Sequence, residues 1–147
     1  MAIDFRDKIY ILDGAMGTML QKAGMNPEET TTQFGLKHPE IWYDIFTQYI
    51  NAGADIIYAG TFGINKFKAD ELDMSLEEAV VCAMNVADRA RNEASKASGR
   101  DVKIALGIGP LGELLEPMGT LTFEEAYDAF SQIVNEGKNC GADLVVI

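Results

Sequence analysis

Cysteine and histidine are nearly missing from this chain, which carries Cys82, Cys140 and His38 and no others of either type in 147 residues. The two thiols lie far apart, each inside or at the end of a predicted helix, which argues against a disulfide framework and against a paired-cysteine metal or redox motif. They read as buried, reduced thiols. His38 stands directly before Pro39, at the entrance of a predicted helix, with no second histidine to share a catalytic dyad. Positive charge is scarce too, with 12 Lys and Arg against 23 Asp and Glu and a net charge of −11. Neutralising phosphates takes clustered cations, so nucleic acid and anionic membrane are poor partners. No apolar run approaches the roughly 20 residues of a membrane span, and the first six residues hold neither a basic leader nor an apolar core. A soluble, cytoplasmic protein is expected.

The composition that remains, 48% hydrophobic and 24% charged, is that of a globular domain able to bury a core without staples, so residues 1–147 are read as one domain. A short apolar run, Ile9-Tyr10-Ile11-Leu12, reads as a first strand and ends in Asp13-Gly14-Ala15-Met16-Gly17-Thr18. Met19–Gly24 gives a turn or two of helix, and 25–37 reads as polar and irregular. From Pro39 to Gly53 the residues Ile41, Trp42, Ile45, Phe46, Tyr49 and Ile50 recur at three-and-four spacing, the pattern of an amphipathic helix. Asp55–Tyr58 is a second strand. Ser75-Leu76-Glu77-Glu78 has capping-box spacing and opens a helix toward Gly99, while Thr122-Phe123-Glu124-Glu125 opens another toward Asn139. Lys103–Gly107 and Asp143–Ile147 complete a set of four strands.

Two joints are nearly the same sequence, Asn51-Ala52-Gly53-Ala54-Asp55-Ile56-Ile57 and Asn139-Cys140-Gly141-Ala142-Asp143-Leu144-Val145. Each places a helix-ending glycine before an Asp that opens an apolar strand. Alternation of strand and helix predicts parallel strands with right-handed crossovers, either an open sheet or a barrel. The helix-to-strand turns are short and the loops after the strands are long, so function is expected at the carboxyl ends of the strands.

Three loops gather there. They are Asp13 to Thr18, then Gly60-Thr61-Phe62-Gly63, then Gly107-Ile108-Gly109-Pro110-Leu111-Gly112-Glu113. Glycines let backbone N–H groups approach a ligand closely, and Asp13 supplies a carboxylate. A small zwitterion would find both signs of partner. The Gly107 to Gly112 stretch also fits the G-x-G-x-x-G dinucleotide pattern, but Pro117 and Gly119 stand where that motif needs a helix, so a nucleotide-binding domain is the weaker alternative.

Leu12 to Leu20, the His38-Pro39-Glu40 helix start, Ala52 to Ile57 leading to Thr61-Phe62-Gly63, and Gly107 to Glu113 occur in this order and spacing in one family. The chain resembles the homocysteine-binding domain of the zinc-dependent homocysteine S-methyltransferases, in particular the module found in cobalamin-dependent methionine synthases. The resemblance implies the N-terminal half of a (β/α)8 TIM barrel, with four parallel strands and three connecting helical segments. It implies a zinc ion held by three cysteine thiolates, homocysteine bound through its sulfur, and methyl transfer from a donor such as cobalamin or a methyl-folate to give methionine. Asp13, Gly14 and Ala15 are the implied holders of the amino-acid end of the substrate, with Thr61 and Gly109 at the same mouth.

The chain also departs from the family pattern. Nothing here matches the zinc cysteines, which members carry in the second half of the barrel, and the acid that holds the substrate ammonium would follow Ile147. Tyr58-Ala59-Gly60 stands where members have an Asn before the Thr-Phe pair. We therefore expect the front half of a barrel that is inactive alone, completed by a C-terminal half, with exposed edge strands open to self-association. A non-catalytic, self-associating half-barrel is the alternative from another functional class.

Overall fold

The computed structural model describes residues 3, 5–6 and 8–147. Its frame is a parallel sheet of three strands, β1 (Ile56–Ala59), β2 (Lys103–Gly107) and β3 (Leu144–Val146), in the order β1-β2-β3. The register sets Ile57 beside Ile104 and Leu106 beside Val145. Four strands were expected. The first of them is reduced to a single parallel bridge between Leu12 and Ile56.

The reason lies at Ile11. Its carbonyl accepts both the Asp55 and Ile56 N–H groups, at 2.7 and 3.2 Å, but its own N–H donates to the Asp55 carboxylate at 3.0 Å. A side chain thus takes the place of the next ladder bond. Ile9, Ile11 and Leu12 are 86%, 54% and 48% exposed, so little packing extends the pairing.

Helices cover the sheet. In α3 (Pro39–Ala52) proline takes the first turn, where its missing N–H costs nothing, and Gly53 ends the helix at φ 116°. Its buried stripe of Trp42, Ile45, Phe46 and Ile50 faces α4 (Leu76–Ser98) and the sheet. Ala79, Ala83, Ala87 and Ala90 on α4 are buried, and their small side chains let the two helices approach closely. The capping boxes Ser75/Glu78 and Thr122/Glu125 start α4 and α5 (Phe123–Asn139) where the sequence places them. Burying each large side chain of this core is worth about 1.5–3 kcal/mol.

Two helices depart from expectation. The first, α1, runs Met16–Lys22, three residues earlier than the expected Met19. Residues 25–37, expected to be irregular, contain α2 (Thr31–Lys37). Here the Gln33 N–H donates to the Thr30 hydroxyl and the Thr30 N–H to the Gln33 side-chain oxygen, both at 3.1 Å. That is a Thr-x-x-Gln capping box, and Phe34, Gly35 and Leu36 bury behind it. Among the described residues no helix is long and apolar enough to cross a membrane.

Candidate functional site

The chain leaves its bridge with β1 at Asp13. The Asp13 N–H donates to the Ile56 carbonyl at 2.9 Å, and the Asp13 carboxylate accepts the Tyr58 N–H at 3.0 Å. This carboxylate is locked to β1 and half-buried. Burial pushes its pKa up to about 6, against the pull of the Tyr58 N–H. Behind it, the Tyr49 hydroxyl of α3 donates to the Ala15 carbonyl at 2.9 Å and fixes the turn. Burial and the neighbouring Asp13 charge raise the Tyr49 pKa, which keeps that hydroxyl a donor. Glycine at position 14 makes room for Tyr49, since a Cβ there would lie 2.7 Å from the Tyr49 ring and would displace it from its bond to Ala15.

A cavity of about 220 Å³ opens beside this turn, lined by Asp13, Gly14, Met16, Thr31, Thr32, Trp42, Tyr58, Ala59, Gly60, Phe62 and Gly107. Trp42 is 1% exposed and forms a flat apolar wall. Its ring lies so close to two backbones that a Cβ at Gly35 or Gly60 would fall 1.8 or 2.3 Å from it. Such a site, apolar with a few fixed polar groups, suits a small molecule carrying a positive group toward Asp13.

Of the five residues expected at the site, Asp13 and Gly14 line the cavity, and Ala15 adjoins them through its bond to Tyr49. Thr61 and Gly109 stand elsewhere. Thr61 is buried, and its hydroxyl donates to the Gly107 carbonyl at 2.8 Å, tying the ends of β1 and β2 together. Gly109 passes so close to Phe62 that a Cβ would sit 2.4 Å from the Phe62 carbonyl oxygen, so its part is to seat that aromatic residue.

Thr31 and Thr32, delivered by α2, and Trp42, placed by the sequence on the apolar stripe of α3, are further lining residues that the sequence did not single out. The Thr30-x-x-Gln33 spacing was the available signal for α2. Asn65 was missed as well. It is buried, accepts the Phe67 N–H at 3.0 Å and donates to the Pro110 carbonyl at 3.4 Å, joining the loops after β1 and β2. The third loop continues through a Leu115 to Leu121 bridge before α5 starts at Phe123, so the Gly107 to Gly112 pattern opens no helix.

A metal site was tested against the residues present. Among the described residues no three His, Cys, Asp or Glu side chains gather as a ligand set. Neither Cys82 on α4 nor Cys140 at the end of α5 lines the cavity. Burial raises both thiol pKa values, with Glu136 adding to the rise at Cys140, which favours thiol over the thiolate a metal needs. These residues do not fit a three-thiolate zinc centre.

Parallel strands joined by helices, with a small-molecule cavity at the carboxyl ends of the strands, define the class of α/β ligand-binding and enzyme domains. The family model described as homocysteine S-methyltransferase matches residues 10–147, and the chain belongs to that family. Methionine synthase of Mycobacterium leprae (strain TN) is 27% identical over 95% of this chain and 12% of its own length. Methionine synthase of Mycobacterium tuberculosis (strain ATCC 25618 / H37Rv) is 26% identical over the same shares. The chain therefore spans about an eighth of these curated relatives. In structure it is similar to the homocysteine methyltransferase MmuM of Escherichia coli in its metallated form, with TM-score 0.82 and 19% identity over 96% of this chain and 54% of that one.

Proposed function

We propose that this chain supplies the amino-acid-binding part of a homocysteine S-methyltransferase, and that the cavity beside Asp13 receives the ammonium and carboxylate end of homocysteine. Asp13 carries the reading. Its half-buried carboxylate is aimed by the Tyr58 N–H into a cavity of small-molecule size, in a chain that belongs to this family. A ligand ammonium would restore the charge compensation that burial removes, and the ion pair would hold Asp13 ionised. Glycine at position 14 leaves room for the Tyr49 ring, whose hydroxyl fixes the turn that carries Asp13. The methyl transfer itself is proposed for the whole protein, and no step of it is assigned to Cys82 or Cys140.

Titration calorimetry of the 147-residue chain with L-homocysteine tests the reading. Binding is expected, with a large loss on Asp13→Asn. Failure of the chain to bind homocysteine at millimolar concentration overturns it.

A further inference from the structure

Asp13 sits on a weakly paired stretch of chain. The segment before it joins the sheet by the single bridge at Leu12, and Ile9, Ile11 and Leu12 are exposed, so little packing holds the backbone that delivers the carboxylate. A group that meets a ligand in one fixed place needs that backbone held, because every conformer left open in the free protein must be closed on binding. Two ties run to β1, from the Asp13 N–H to the Ile56 carbonyl and from the Tyr58 N–H to the Asp13 carboxylate. Both act at Asp13 itself.

The next two residues are held from α3. The Tyr49 hydroxyl donates to the Ala15 carbonyl at 2.9 Å, and its ring fills the space that a side chain at position 14 would take, with Cε1 2.7 Å from that Cβ position. Tyr49 does not line the cavity, so it meets the turn from outside the ligand space. Its helix is a firm support, since Trp42, Ile45, Phe46 and Ile50 of α3 are buried and Tyr49 packs against the same core. The hydroxyl is spent on a carbonyl and not on the carboxylate, so Tyr49 steadies the turn without giving Asp13 a partner. The two groups are still near enough that the Asp13 charge, after burial, contributes to raising the Tyr49 pKa.

We propose that Tyr49 is a positioning residue of this site, holding the Gly14–Ala15 turn from α3 so that the Asp13 carboxylate meets the ammonium of an amino-acid ligand in one place. This role rests on the proposed homocysteine reading and adds to it a residue that never touches the ligand. A second tyrosine of the same helix supplies the comparison. The Tyr43 hydroxyl donates to the Glu93 carboxylate on α4, and its ring lies 3.8 Å from the Arg89 guanidinium, away from the cavity.

The test compares Tyr49→Phe, which keeps the ring and removes the hydroxyl, with Tyr43→Phe, the same change elsewhere on α3, in the full 147-residue chain. NMR reads two quantities, the affinity for L-homocysteine and the titration midpoint of the Asp13 carboxylate without ligand. Tyr49→Phe is expected to weaken homocysteine binding by roughly three- to tenfold, the scale of one hydrogen bond. It should also lower the Asp13 midpoint from about 6 toward the ordinary carboxylate range, because a looser turn lets the carboxylate reach water. Tyr43→Phe should leave both quantities as in the parent. In the parent the Tyr49 ring signals should shift as Asp13 titrates, and in Asp13→Asn they should not, a reading that needs no Tyr49 variant.

Homocysteine affinity in Tyr49→Phe within about twofold of the parent overturns the proposal, as does weakened binding with an unmoved Asp13 midpoint or an equal loss in Tyr43→Phe. Tyr49 ring signals that do not respond to Asp13 overturn it even where Tyr49→Phe fails to fold. A parent chain that binds no homocysteine removes the functional reading and this role with it, whereas homocysteine binding indifferent to Tyr49→Phe removes the role alone.

Discussion

At the amino-terminal end of the sheet, Asp55 and Asp143 occupy matching places after helix-ending glycines, and each carboxylate accepts a main-chain N–H from the neighbouring strand position, Ile11 at 3.0 Å and Ile104 at 2.9 Å. Cations surround them. Lys8 is 3.0 Å from Asp55 and Arg91 is 2.8 Å from Asp143, while Arg100 donates to the Ile50, Gly53 and Ala54 carbonyls between them. At the carboxyl end, Asp13 also takes one strand N–H, but none of the ion pairs among the described residues includes it, and it faces a cavity. The N–H of Ile11, aided by Lys8, holds the Asp55 pKa below its ordinary value, whereas burial holds that of Asp13 above. The same residue type thus has its charge matched by cations at one end of the sheet and left unmatched beside a cavity at the other, which is the setting the proposed binding role uses.

The sharpest way to break that contrast is Asp13→Asn, which should move affinity and stability in opposite directions. Removal of the charge opposite a ligand ammonium is expected to weaken homocysteine binding by roughly 30-fold or more, about 2–3 kcal/mol. The melting temperature should rise at pH 7, because an ionised carboxylate is no longer held in a half-buried place. The pH dependence follows with a definite sign. The folded value of about 6 lies above the ordinary carboxylate value of 3.8, so the folded chain keeps its proton longer than the unfolded one. Stability from this group is complete below about pH 4 and is lost as pH rises through 6, on the order of 2–3 kcal/mol across the window. Asp13→Asn should flatten that part of a melting-temperature profile. A profile unchanged by the substitution would place Asp13 in a solvated setting and dissolve the contrast.

Asp55→Ala should do the reverse and by less. It leaves the Ile11 N–H without its acceptor and Lys8 and Arg100 without their carboxylate. A loss of about 1–2 kcal/mol is expected by urea denaturation at pH 7, with homocysteine affinity unaltered. Here the folded pKa is depressed, so the stability contributed by Asp55 is present above about pH 4 and disappears as pH falls through the lowered value. The variant and parent should therefore converge in acid. Weakened ligand binding in Asp55→Ala would show that the two ends of the sheet are coupled.

The amino-terminal end was the more legible of the two in sequence. Its repeated Gly-Ala-Asp joints act through neighbours a few residues away and the structure keeps both, as it keeps the two Glu-closed capping boxes, which start α4 and α5 at the opposite, carboxyl side of the strands. The first strand was misjudged because its apolar run says nothing about what pairs with it, and the Asp55 carboxylate ends that pairing from 44 residues away. At the cavity, Asp13 and Gly14 stood out through a carboxylate and a glycine in one turn. Thr31 and Thr32 did not, since they reach the cavity on α2, which packs against α1, α3 and α4, and a Gln in place of Glu made the α2 capping box easy to pass over. Thr61 stood out as a small hydroxyl at a strand end, and in the structure that hydroxyl ties β1 to β2 through the Gly107 carbonyl.

The smallest effect expected is at the thiols, and it sharpens the comparison by showing what the carboxyl end does not contain within this chain. Cys82 and Cys140 sit outside the cavity with raised pKa values, and no ligand cluster includes them among the described residues. A three-thiolate zinc centre needs three ionised cysteines, and two thiols on separate helices with raised pKa values provide neither the charge nor the ligand count. Cys82→Ala and Cys140→Ala should each leave homocysteine affinity within about twofold, since neither thiol lines the cavity, with at most about 1 kcal/mol lost from the half-buried packing. Calorimetric titration with zinc should give the same weak response for parent and both variants. Tight zinc binding by the parent that either substitution abolishes would place a metal site in this chain at its thiols and end the contrast between a metal-free cavity beside Asp13 and thiols that bind nothing.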